Sequence, residues 1–174
     1  MRLYVLALLT LAGLLFGVAC SDEDNPLASA SQGTIAVNLH DQPSPTVLNA
    51  MMTVDSVTLT AADGTLYPLE SAQLDTPFDL AQLTGGNQVN LGVEPVPAGD
   101  YVQLTLVVSA LDITLTDTTV VPVIQPASSL SVQLPLSLTV APGEDVVLGV
   151  DFPLTAIGFD GTNWTVDGSA VALD

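Results

Sequence analysis

The chain has 174 residues, 48% of them hydrophobic, and carries 19 Asp plus Glu against a single Lys or Arg, for a formal net charge of −18. That one basic residue is Arg2, so from Leu3 onward nothing but His40 can carry a positive side-chain charge. Nucleic acid is excluded as a partner, because phosphate neutralisation needs protein cations, and electrostatic attachment to anionic lipid is excluded for the same reason.

Met1-Arg2 is a short basic start, and Leu3 to Phe16 is an apolar run interrupted only by Thr10 and Gly13. This reads as a secretory signal peptide over residues 1–19, too short and wrongly flanked for a stable membrane span. Gly17-Val18-Ala19-Cys20 resembles a bacterial lipobox, in which the cysteine is lipidated and becomes the mature N-terminus. Gly17 stands where such motifs usually carry Leu. Cys20 is the only cysteine, so its expected use is lipidation and no internal disulfide can form. Residues 20–32 read as a lipidated, acidic, flexible tether, opening with Ser21-Asp22-Glu23-Asp24 and continuing through a Ser/Ala/Pro/Gln-rich stretch. Ser21 beside the cysteine points to the outer membrane of a Gram-negative bacterium. The acidic run is similar to the signal that sends some lipoproteins to the cell surface, and it reads equally well as the start of a linker.

The folded domain is expected over residues 33–174. Ile35, Val37 and Leu39 alternate with polar or small neighbours, the period of a strand with one buried face. Pro43 and Pro45 end it. Val47 to Thr60 changes phase, which a bulge near Asp55-Ser56 would reconcile. Ala62-Asp63-Gly64 predicts a hairpin, with Thr65 to Leu69 returning. Phe78 to Leu83 fits a strand or a short helical turn, and Gln88 to Glu94 another strand.

Pro97-Ala98-Gly99 predicts a tight turn into the central strand, where Val102, Leu104, Leu106 and Val108 should face the core and Gln103, Thr105 and Val107 should face away. Leu111 to Leu115 alternates again. Pro122 makes Thr119 to Ile124 an edge candidate, and Pro135 does the same for Leu130 to Val140 or breaks it into two strands. Ala141-Pro142-Gly143-Glu144 is a turn before Val146 to Phe152. Asp160-Gly161 and Asp167-Gly168 mark turns around Trp164 and Val166, and Val171 and Leu173 close the domain. No segment shows sustained helical periodicity. The expected fold is all-β, an antiparallel β-sandwich.

Gly33-Thr-Ile-Ala-Val-Asn-Leu-His-Asp-Gln-Pro43 resembles the opening of an uncharacterised domain-of-unknown-function family of bacterial lipoproteins, with the pattern Gly-x-Leu-x-Val-x-Leu-Thr-Asp-x-Pro. Val54 to Leu59, Pro97 to Tyr101, and Ala141-Pro142-Gly143 leading to Val150-Asp151-Phe152 follow in that family's order. The resemblance implies a prealbumin-like (transthyretin-like) sandwich and no established activity. His40 stands where the family usually has Thr, so it inherits no role. The Lys–Asn isopeptide bond of some prealbumin-like adhesins is impossible without Lys.

The remaining residues suggest little chemistry. His40 is the sole imidazole, and neighbouring side chains on a strand point to opposite faces, so Asp41 is not its evident orienting partner. One His and no free Cys argue against zinc. Calcium is the better metal candidate, because it takes carboxylate and carbonyl oxygens; the densest oxygen cluster is Asp160, Asn163 and Asp167, although two β-turns that use Asp-Gly for positive φ explain the same residues better. Asp100, Asp112 and Asp151 receive no assignment. Trp164 and Tyr101 are candidates for stacking on a sugar, or for packing at the rim and in the core. The expectation is a non-enzymatic, lipid-anchored structural or binding module without a cofactor, its protein or glycan ligand unnamed. A calcium- or carbohydrate-binding accessory domain is one alternative, and a hydrolase with an acidic site another.

Overall fold

A computed structural model describes residues 31–174. Cys20, the expected signal peptide and most of the expected tether lie outside those residues. The order of elements is β1 (Gln32–His40), β2 (Val47–Ala61), β3 (Leu66–Leu69), β4 (Phe78–Asp79), β5 (Val89–Pro97), β6 (Gly99–Leu115), β7 (Val120–Ile124), β8 (Leu130–Val140), β9 (Asp145–Asp151), β10 (Ile157–Phe159), β11 (Trp164–Val166) and β12 (Ala172–Leu173). Helical structure among the described residues is confined to short 3-10 turns, none long and apolar enough to cross a membrane.

The strands form two main sheets and a hairpin. One sheet has the order β12-β9-β1-β5; the larger one runs β3-β2-β6-β7, with β4 also pairing β2 and β8 also pairing β6; β10 and β11 pair by themselves. Ile35, Val37 and Leu39 of β1 join Leu59 of β2 and Leu104 and Leu106 of β6 in one buried cluster, the interior of a sandwich. Burying each such side chain contributes about 1.5–3 kcal/mol.

The long β2–β6 ladder carries the larger sheet, and its irregularities explain the phase changes in the sequence. Val54 pairs with Val108 and Ser56 with Val107, leaving Asp55 as an extra residue. That is the expected bulge, and it keeps Val54 and Val57 both buried. A second bulge corrects the reading of the central strand. Thr60 pairs with Gln103 and Ala61 with Tyr101, so Val102 is skipped and is 46% exposed, while Tyr101 and Leu104 point inward. Leu111 to Leu115 is the far end of the same strand. Phe78 to Leu83 is both things at once: a two-residue strand, then a 3-10 turn over Leu80–Gln82 whose cap is Asp79 accepting from Ala81 N.

The Asp63-Gly64 hairpin forms, with Gly64 at φ 86°, a region open to glycine. The Pro97 turn does something different. It joins no hairpin; β5 lies in the smaller sheet and β6 in the larger, with only Ala98 between them. Tyr101 is 1% exposed, and its hydroxyl donates to Pro97 O at 2.7 Å, pinning this corner as tyrosine corners do in other sandwiches. β7 and β8, which carry Pro122 and Pro135, pair with β6 alone, and both prolines are exposed. At Pro135 the β8 register shifts but the strand continues.

The sandwich is not wholly antiparallel: β1 and β9 run parallel, Thr34 beside Asp145 through His40 beside Asp151. The turn before β9 sets this direction. Gly143 N donates to Gln32 O at 2.7 Å, and Thr34 N to Glu144 O at 2.8 Å, so β9 starts where β1 starts.

Candidate functional site

Parallel pairing brings the ends of β1 and β9 together, and with them the only imidazole. His40 is in register with Asp151. β12 returns beside β9, and Asp174 N donates to Gly149 O at 3.0 Å. The absent side chain of Gly149 makes room: a Cβ there would sit 3.3 Å from Asp174 Cβ and 3.6 Å from His40 Nε2. Into that space Asp174 reaches His40, Oδ2 to Nε2 at 2.7 Å, a contact that needs the ring proton on Nε2. The other ring nitrogen, Nδ1, faces Asp151 Oδ1 at 3.9 Å. Gln42 Nε2 donates to Asp151 Oδ2 at 2.7 Å.

Asp41, the next residue after His40, turns inward and is only 5% exposed. Its Oδ1 accepts from Leu154 N at 2.8 Å, while its Oδ2 is buried without a hydrogen-bond partner, as is Asp151 Oδ1. Burial pushes the Asp41 carboxyl up to about 6, and the Asp151 charge adds to the rise against the backbone N–H groups of Leu154 and Gln42 and against His40. A cavity of about 230 Å³ adjoins this cluster, lined by His40, Asp41, Leu83, Gly86, Asn87 and Gln88. The arrangement raises the proton affinity of a buried acid. Among the described residues no hydroxyl bonds to His40, whose two ring nitrogens both face carboxylates.

The residues expected to hold calcium are separated. Asp160 and Asn163 close the tip of the β10–β11 hairpin, and Asp160 Oδ1 accepts from Thr162 N and Asn163 N, each at 2.8 Å. Asp167 lies past the other end of β11, where its N donates to Ala156 O. Four residue steps of near-extended chain carry Asn163 to Asp167, roughly 13 Å. Asp167 Oδ1 is taken by the Ser169 hydroxyl at 2.6 Å and Ser169 N at 3.0 Å. Asp160, Asn163 and Asp167 therefore do not form one cation site, and among the described residues no three His, Cys, Asp or Glu side chains are grouped to hold a metal. These hydrogen bonds, from Asn163 and Thr162 backbone to Asp160 and from Ser169 to Asp167, hold both carboxyls below the usual carboxylate range.

The hairpin also presents aromatic surface. Phe159 pairs directly with Trp164, ring centroids 5.7 Å apart and tilted by 44°. Phe159 is 57% exposed, whereas Trp164 packs partly against the core. Tyr101, the other candidate for sugar stacking, is a core residue in a T-shaped pair with Tyr67, ring centroids 5.8 Å apart. Of the unassigned acids, Asp100 accepts from Thr139 Oγ1 at 2.5 Å, Asp112 lies exposed beside Met51 and Pro122, and Asp151 alone joins the His40 cluster. The sequence reading missed that cluster because it depends on β1 pairing with a strand more than a hundred residues away. It also missed Phe159, whose only signal was its place beside an Asp-Gly turn.

Among solved structures, a Bacteroides fragilis protein provisionally assigned to cell adhesion is similar at 9% identity, over 83% of this chain and 45% of that one, with a TM-score of 0.37. The chain thus spans less than half the length of that protein. No curated protein matches the sequence. Residues 32–163 match the domain of unknown function DUF4382, a span that opens at the start of β1 and ends at the tip of the β10–β11 hairpin. Because that span takes in β1 to β10, most of both sheets, the chain belongs to the DUF4382 family.

Proposed function

We propose that the protein is a lipid-anchored component of the cell envelope whose prealbumin-like β-sandwich is a non-catalytic structural or binding module, displayed at the outer membrane. The observation that carries this reading is Cys20, the single cysteine, placed directly after an apolar leader and Gly17-Val18-Ala19. The first strand begins soon afterwards, at Gln32, so a short linker would join lipid to sandwich. The geometry at His40 supports the non-catalytic part, since the imidazole is engaged with Asp174 rather than with a nucleophile. A carbohydrate-binding role is the second reading, favoured by the exposed Phe159 ring beside Trp164.

The test is metabolic labelling with palmitate in a Gram-negative host, comparing the natural chain with Cys20→Ser. Label and membrane association in the natural chain, both lost in the variant, are the expected result; an unlabelled, soluble natural chain sinks the proposal. External display is then probed by proteinase K on intact cells. Trypsin would be uninformative, because residues 31–174 contain no Lys or Arg.

A further inference from the structure

We propose that the tip of the β10–β11 hairpin is a contact site for a neutral glycan, with Phe159 and Trp164 as the stacking surface and Asn163 and Thr162 as hydrogen-bonding groups. This rests on the reading of the chain as a binding module and names the class of its ligand.

Three features of the tip combine. The first is apolar area in a fixed position. Phe159 leaves 57% of its surface in water, although full burial of such a ring would contribute about 1.5–3 kcal/mol. Trp164 is anchored on its inner side by the core, so the pair offers rings already held in place, and little side-chain freedom is lost when a flat sugar face covers them. The second is free hydrogen-bonding capacity at the edge of the rings. Asp160 spends Oδ1 on two backbone N–H groups, which shapes the turn. The Thr162 hydroxyl, the Asn163 amide and the Trp164 indole N–H have no protein partner among the described residues, and Thr162 and Asn163 are both exposed. Donors and acceptors beside an aromatic face are what sugar hydroxyls require.

The third feature is charge. No Lys or Arg occurs anywhere in residues 31–174, and Asp160 lies at the tip itself. Sulfated or uronic polysaccharides and phosphate-bearing lipids meet uncompensated repulsion there, so among saccharides the uncharged ones fit the site.

Trp164 is the only tryptophan in the sequence, so its emission reports this site and no other. The full chain, purified in a zwitterionic detergent without a sugar headgroup, is titrated with laminarin, yeast mannan, dextran and galactan, and with polygalacturonate as the anionic counterpart. A saturable change in emission with at least one neutral polymer is expected, at least tenfold weaker in Phe159→Ala, severalfold weaker in Asn163→Ala, and absent with polygalacturonate. Thermal melts of both variants verify that they are folded. No saturable response to any of the four neutral polymers overturns the proposal. So does a response that polygalacturonate reproduces, or one that Phe159→Ala leaves intact. An emission change that follows protein concentration alone overturns it in favour of docking between two copies. The titration does not depend on where the protein resides, so its failure leaves the lipid-anchor reading standing, and a failed palmitate experiment leaves this one standing.

Discussion

The His40 end of the smaller sheet and the β10–β11 hairpin each place aspartates beside a phenylalanine, and the two regions treat them in opposite ways. Asp41 is buried with one oxygen unsatisfied, and its carboxyl rises to about 6. Asp160 is exposed, accepts two backbone N–H groups, and is held below the usual range. Phe152 is fully buried and Phe159 is 57% exposed. The difference is solvent. Where water is excluded, a carboxylate must be paired or protonated, and where water is present, a local turn is enough to satisfy it. The first region is built to be closed and the second to face outward.

The two phenylalanines give the widest separation. Phe152→Ala should cost about 3–5 kcal/mol, as an unfilled core site does. Phe159→Ala should stay within about 0.5 kcal/mol. Denaturant melts of the two variants side by side measure this, and similar losses would erase the distinction between the regions.

Asp41→Asn should show a smaller effect that depends on pH. The folded carboxyl, at about 6, binds its proton more tightly than the unfolded one, at 3.8. Its contribution to stability is therefore full below about pH 4 and is lost as pH rises through about 6. Asp160 and Asp167 act in the reverse sense: with folded values below 3.8, their contributions are present above that pH and are lost on further acidification. Between pH 4.5 and 7.5 the natural chain should lose stability relative to Asp41→Asn, by at most about 2 kcal/mol, the part of the linkage that falls inside that window. Melting profiles that run parallel across that range would mean that Asp41 carries no shifted proton. A smaller change than that of Asp41→Asn is expected for His40→Gln. The pair with Asp174 is partly exposed and should be worth no more than about 1 kcal/mol. Amide exchange at Leu173 and Asp174 should quicken while the global melt barely moves, and unchanged exchange would show that β12 is held by its backbone alone.

Much of this contrast was unreadable from the sequence, for a physical reason. The hairpin at Asp63-Gly64, the bulge at Asp55 and the edge strands with Pro122 and Pro135 all follow from local rules of turn and pleat, and they were legible. Val102 was not, because a bulge opposite Ala61 reverses its facing without any mark in the alternation. The His40 cluster was not, because register between β1 and β9 is set by a turn docking on Gln32 and Thr34. Asp160 and Asp167 looked like one oxygen cluster because they are close along the chain, yet a hairpin strand between them keeps them apart.

The place of β1 also has a mechanical consequence. It is an inner strand, bonded on one side to β5 from Gln32 to Leu39 and on the other to β9 from Thr34 to His40. A pull arriving along the chain before Ser31, in the direction of the strand, would load both ladders in shear, so many hydrogen bonds would have to fail together rather than one after another. An edge strand in that position would unzip. The expected consequence is high resistance to force applied along β1 from its N-terminal end.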